Sequence, residues 1–207
     1  MGFFAEVAIA GEEPSQLPTH FSPRCYTSSF DCVDSFQLCG FCDTSSSAYA
    51  AVIFLFLRTG TEWTAKIVAS KSRIAPLKPQ TIPRLELIGA LLLARLLVSV
   101  TKDFCSELPL DSPVYYTDSQ IALFLLKCVN KDWKALVYNH VEEIRKLVPV
   151  EHWYYCPGTE NPADVTSRGM IPMELRSHTL WWKGPRWLGS KEKKIMEFVD
   201  VPLASMV

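Results

Sequence analysis

Apolar, β-branched and aromatic residues fill 37–44, 48–58 and 63–74, with Ser45-Ser46-Ser47 and Thr59-Gly60-Thr61 between the runs. Runs of this composition broken by turn residues predict a three-stranded antiparallel meander. The period then changes. Leu85, Ile88, Leu92 and Leu96 recur at helical spacing, Thr81 can cap the segment, and Pro83 fits a first turn. Gly89, Ala90 and Ala94 are small enough to let such a helix lie close on a sheet. A short strand is predicted at 113–117 and a helix from the cap Ser119 through Cys128. A second helix over 133–148 carries Val137, Val141, Ile144 and Val148 on one face. A last strand is predicted at 151–155. A final short helix is predicted to start at Asn161, with Pro162 at its first position, and to end at Gly169.

The order β-β-β-α-β-α-α-β-α, meander first and crossovers later, predicts an α/β fold. Its five-stranded mixed sheet would have an antiparallel meander followed by parallel strands, with helices on both faces. Residues 1–20 lack periodicity and read as an unstructured leader, 21–36 as an irregular connection, 37–170 as the domain, and 171–207 as a Trp- and Lys-rich, partly docked tail.

Composition narrows the class. With 48% hydrophobic and 21% charged residues, 207 residues can bury one core of ordinary size. A net charge of −1 does not advertise a nucleic-acid binder, although acids gathered for metal would offset basic residues elsewhere. Seven cysteines without a secretory signal read as reduced thiols of an intracellular protein, cytoplasmic or nuclear and not secreted. The longest apolar run, 87–100, is short for a bilayer and contains Arg95, so no membrane partner is expected.

Four acids stand at the ends of strand-like runs or the starts of helix-like ones: Asp43, Glu86, Asp118 and Asp164. Singly, each has an ordinary role. Asp43 opens a turn, Glu86 favours a helix dipole, Asp118 starts a helix, and Asp164 pairs with Asn161 as a cap. Together, in this order, they suit phosphodiester cleavage by two divalent ions, Mg2+ with Mn2+ as a substitute, held by hard oxygen ligands.

Lys66, Lys71, Arg73, Lys78 and Arg84 lie between 63 and 85 with no intervening acid. They suit either a phosphate track or a soluble edge strand. Thr44, Ser45 and Ser119 can bond phosphates or 2′-hydroxyls, or serve as turn and cap residues. Trp181, Trp182 and Trp187, among Lys183, Arg186, Lys191, Lys193 and Lys194, either stack bases or dock the tail on its own domain. Two rival chemistries are also written here. Asp43-Thr44-Ser45 resembles an aspartic-peptidase loop but has serine where that loop needs glycine. Cys25, Cys32, Cys39 and Cys42 include one pair at zinc-ligand spacing.

The motifs at 40–43 (Gly-Phe-Cys-Asp), 48–52 (Ala-Tyr-Ala-Ala-Val), 70–78 (Ser-Lys-Ser-Arg-Ile-Ala-Pro-Leu-Lys), 82–87 (Ile-Pro-Arg-Leu-Glu-Leu) and 89–96 (Gly-Ala-Leu-Leu-Leu-Ala-Arg-Leu) resemble the ribonuclease H region of BEL/Pao-type retrotransposon polyproteins. So do those at 116–119 (Tyr-Thr-Asp-Ser), 161–164 (Asn-Pro-Ala-Asp), 167–169 (Ser-Arg-Gly) and 180–188 (Leu-Trp-Trp-Lys-Gly-Pro-Arg-Trp-Leu). The resemblance implies a ribonuclease H-like fold and metal-dependent cleavage of the RNA of an RNA–DNA hybrid, with Asp43, Glu86, Asp118 and Asp164 as the acids. It also implies a place between reverse transcriptase and integrase segments in a parent polyprotein, of which this chain would be a fragment or domesticated remnant. An inactive nucleic-acid-binding remnant is the alternative. Unlike many relatives, the loop at 156–160 carries no histidine (His152 lies upstream), and no separate basic helix follows.

Overall fold

The first three runs pair as β1 (Ser35–Thr44), β2 (Ala48–Thr59) and β3 (Glu62–Ile74), each antiparallel to the next. A computed structural model describes residues 33–77, 80–104, 110–128 and 133–189. The expected leader, Cys25, Cys32, Lys78 and the lysines at 191, 193 and 194 lie outside them.

The chain next forms α1 (Ile82–Phe104) and returns as β4 (Leu110–Thr117), parallel to β1. Then come α2 (Gln120–Lys127), α3 (Ala135–Leu147) and β5 (Trp153–Tyr155), which lies parallel to β4. Three short helices follow: α4 (Asp164–Arg168), α5 (Pro172–Ser177) and α6 (Thr179–Lys183). The sheet order is β3-β2-β1-β4-β5, so the mixed five-stranded sheet expected from the sequence is the one formed.

Because β1 is central, its two alternating sets of side chains are both buried. Leu38 and Cys42 join Ala51, Ile53 and Leu55 beneath α1. Cys39 and Phe41 join Phe54, Phe56 and Tyr116 on the other face, where Trp181 and Leu188 close the core. This alternation decides the zinc question for the described pair. Cys39 and Cys42 point to opposite faces and cannot share one ion.

α1 packs between the sheet and α3. Its most deeply buried residues are Leu87, Ala90, Leu93, Ala94 and Leu97, one step around from the expected stripe of Leu85, Ile88, Leu92 and Leu96. The helix is apolar on nearly every side, so spacing alone fits more than one stripe. Gly89 lies against the end of β1. A Cβ there would sit 2.7 Å from Thr44 Oγ1.

Several boundaries differ from expectation. β4 begins at Leu110, ahead of Pro113, because Leu110 and Asp111 already pair with Phe36 and Gln37 before a register shift. The strand expected at 151–155 is shorter, since residues 150–152 form a 3-10 turn after Pro149. α4 starts at Asp164 rather than Asn161. The Asn161 Oδ1 accepts the Ala163 N–H at 3.1 Å, and this local turn occupies the residues expected to open the helix. Gly169 ends α4 with φ 78°, as its sequence position implied. Beyond it, Trp181 is 1% exposed and packed into the second core, while Trp182 is 45% exposed.

Candidate active site

β1 and β4 run parallel with Cys42 opposite Thr117. One residue on, Asp43 and Asp118 leave the two strands side by side. Neighbouring strands lie about 4.8 Å apart, so this register delivers two carboxyls to one place, Asp43 from within β1 and Asp118 from the first residue after β4. Asp118 and Asp43 share a side-chain hydrogen bond. Burial, followed by the charge of Asp43, pushes the Asp118 carboxyl up to about 7. A carboxyl that holds its proton near neutrality is one whose charge lacks a counter-ion.

Glu86 reaches the same place from α1. Its Oε2 accepts the Ser119 hydroxyl at 2.6 Å, and Ser119 Oγ also accepts the Ala122 N–H at 2.9 Å as the cap of α2. Ser119 therefore ties the start of α2 to the acid on α1. Burial raises the Glu86 pKa, the Ser119 bond opposes that rise, and the charge of Asp43 adds to it.

Asp164 is the first residue of α4, with its side chain 34% exposed. Its carboxylate pairs with Arg168 one turn later rather than with the Asn161 backbone, so the capping pair expected from sequence is not formed. Asn161 and Ser167 flank this acid and are both buried. Asn161 Nδ2 donates to the Cys42 carbonyl at 2.9 Å, and Ser167 Oγ donates to Asp43 Oδ2. α4 and the turn before it are thus fastened to β1 at Cys42 and at Asp43 itself.

Residues 12–119 match the family model of the Pao retrotransposon-like RNaseH-like domain, more than half of the 207-residue chain. The chain belongs to this family. No curated protein matches it. Similar solved structures include RNase H1 from the halophilic archaeon Halobacterium salinarum NRC-1, at 16% identity and TM-score 0.40, covering 64% of this chain and 93% of that one. The N-terminal RNase H domain of a Mycobacterium tuberculosis protein has 10% identity and TM-score 0.41, with 65% and 98% coverage. LC11-RNase H1 in complex with an RNA/DNA hybrid has 10% identity and TM-score 0.39, with 68% and 99% coverage.

In this Pao-type domain, Asp43, Glu86 and Asp118 interact electrostatically with one another, and Asp164 stands on the helix fastened beside them. The oxygen donor set fits Mg2+ or Mn2+ in kind. As their side chains lie, each acid is engaged by a neighbour: Asp43 by Ser167, Glu86 by Ser119, Asp164 by Arg168, and Asp118 by Asp43 itself. Among the described residues no three His, Cys, Asp or Glu side chains converge as a metal-holding group.

The candidate nucleic-acid contacts divide. Thr44 donates to the Leu85 carbonyl at 3.2 Å. Ser45 donates to the Ser167 and Ala48 carbonyls and accepts from the backbone at 47 and 48. Both hydroxyls, like that of Ser119, are engaged within the fold. Lys71 and Arg73 are exposed on the edge strand β3, paired with Ala51 and Tyr49. They are therefore on the face covered by α1. Arg84 is half-buried, its Nη1 3.5 Å from Gln80 Oε1. Four residues near the acids were not singled out from sequence as functional: Asn161, Ser167, Arg168 and His178. The motifs at 161–164 and 167–169 contained three of them without revealing what their side chains meet. Among the described residues no helix is long and apolar enough to cross a membrane.

Proposed function

We propose that this domain hydrolyses the RNA strand of RNA–DNA hybrids as a divalent-metal-dependent endonuclease, leaving a 3′-hydroxyl and a 5′-phosphate. The observation that carries the reading is the side-by-side placement of Asp43 and Asp118 by parallel strands, with Glu86 beside them. Asp43, Glu86 and Asp118 would hold the cations, and Asp164 would join them after parting from Arg168. Two such ions supply an activated water and stabilise the leaving oxygen.

The chain's own residues prepare this arrangement. Ser167 and Ser119 orient the Asp43 and Glu86 carboxylates by donating to them. A cation held here would offset both the burial and the like charge of Asp43 that keep the Asp118 proton in place, and so would favour its release. The hybrid is also the partner that a parent polyprotein with reverse transcriptase and integrase segments would present.

Cleavage of a labelled RNA–DNA hybrid in Mg2+ and in Mn2+, beside Asp118→Asn, tests the reading. Cleavage by the parent and none by the variant is expected. If the folded parent cleaves in neither metal, the domain is a non-catalytic remnant of its fold. Equal cleavage by both would remove Asp118 from the mechanism. The rival peptidase reading of Asp43 predicts proteolysis instead, and it has no support in this mixed, helix-covered sheet.

A further inference from the structure

Beside the acids, on the side away from α1, lies a cavity of about 200 Å3. Its walls include Gly158, Thr159, Asp164, Arg168 and His178. That is many times the roughly 10–15 Å3 that one water requires.

The wall is partly apolar, through Val165, Met170 and Leu180, and its polar side chains are mostly donors. Arg168 meets Asp164 through Nε. Among the described residues its two terminal nitrogens have no partner, and the guanidinium is a rigid fork suited to phosphate. His178 Nδ1 accepts the Trp181 N–H at 3.2 Å. That bond leaves the ring proton on Nε2, where it is available to a ligand. The Thr159 hydroxyl adds a third donor. The one acid in the wall, Asp164, is already balanced by Arg168. Arg168 also interacts electrostatically with Asp43 and Asp118, so the cavity and the acid cluster lie within each other's reach.

We propose that this cavity holds a backbone phosphate of the nucleic-acid substrate adjacent to the scissile one, with Arg168 and His178 as its ligands. The assignment rests on the nuclease reading and adds the means of positioning a strand. The terminal nitrogens can take a phosphate while Nε stays with Asp164, and a cation that took up Asp164 would free the whole guanidinium for the substrate. Metal loading and strand binding then favour each other.

The test is hybrid binding by fluorescence anisotropy in EDTA across a salt series, which needs no cleavage. Arg168→Gln should weaken binding several-fold and reduce the salt slope by about one, the signature of one lost phosphate contact. His178→Asn keeps an acceptor for the Trp181 N–H and should weaken binding with an unchanged melting temperature. Parent-like affinity and slope in both variants would overturn the assignment, as would a parent that does not bind the hybrid. Displacement of the Arg168-dependent part only by inorganic phosphate, and not by hybrid, would mark a free-phosphate site and overturn it too. A parent that binds with the expected variant losses but never cleaves leaves the phosphate site standing and defeats the nuclease reading.

Discussion

The side-chain amide of Asn161 donates to the Cys42 carbonyl at 2.9 Å, joining residues 119 positions apart in the chain. The same side chain accepts the Ala163 N–H. One fully buried residue therefore shapes the turn before Asp164 and anchors it to the strand that carries Asp43.

Asn161→Ala removes both bonds and leaves the Cys42 carbonyl without its side-chain donor. A buried group so orphaned costs about 1–3 kcal/mol. For a chain of this size each kcal/mol lowers the melting temperature by about 2–4 °C. Calorimetry should show a loss in that range, and the variant should also lose affinity for Mn2+. Unchanged melting with lost metal affinity would mean the bond positions the helix without stabilising it.

The Asp118 carboxyl sets a pH dependence whose sign is fixed. Its folded value of about 7 lies above the ordinary 3.8, so the folded state binds the proton more tightly. That contribution to stability is full below about 4 and is lost as pH rises through about 7. Metal-free protein should therefore melt at falling temperatures across this window. Asp118→Asn should flatten the slope and melt above the parent at pH 8. Divalent cation should restore the parent selectively at the alkaline end. A parent and variant with parallel pH profiles would contradict this account.

Ser119 serves two partners with one hydroxyl. Ser119→Ala should cost about 1 kcal/mol through the lost cap alone. Ser119→Asp would keep a capping acceptor but set a second carboxylate against Glu86. Urea denaturation should rank the parent above both variants. The Asp variant should recover when the pH is lowered enough to protonate one of the pair.

Gly89 tests how closely α1 approaches the end of β1. Alanine is the better helix former by about 1 kcal/mol. Its Cβ, however, would meet Thr44 Oγ1 at 2.7 Å, and that oxygen is held by its bond to Leu85. Gly89→Ala is expected to destabilise the parent. In a Thr44→Ala background the same change should cost less or stabilise, giving a non-additive cycle. Equal effects in both backgrounds would show that the strand end yields freely.

What could be read from the sequence depended on periodicity and on local chemistry. The meander, the parallel return of β4 and the element order follow from apolar runs and turn residues, and Asp43, Glu86 and Asp118 could be picked out because they punctuate those runs. α1 resisted a unique assignment because a helix buried on several sides satisfies several stripes. The start of α4 was misread because Asn161 uses its side chain on Ala163 and Cys42, a partner no local pattern reveals. For the same reason Ser45 and Thr44 looked available to a ligand. Their hydroxyls are engaged by the Ser167 and Leu85 carbonyls, 122 and 41 residues away. His178 carries no local signal of a site: it lies beyond Gly169, far in sequence from the loop at 156–160, and only the fold brings it to the cavity wall.

The links that fasten α4 and the turn before it to β1 and the turn after it span 119, 122 and 124 residues. Contacts that distant form only after large loops have closed, and loop closure is what slows folding. The first acid is therefore fastened to the last only once most of the domain's chain has been made. During synthesis, a growing chain holding only Asp43, Glu86 and Asp118 would lack the Asn161 and Ser167 clamps. The site is timed by topology: it completes only after the chain that carries Asn161 and Ser167 has been made.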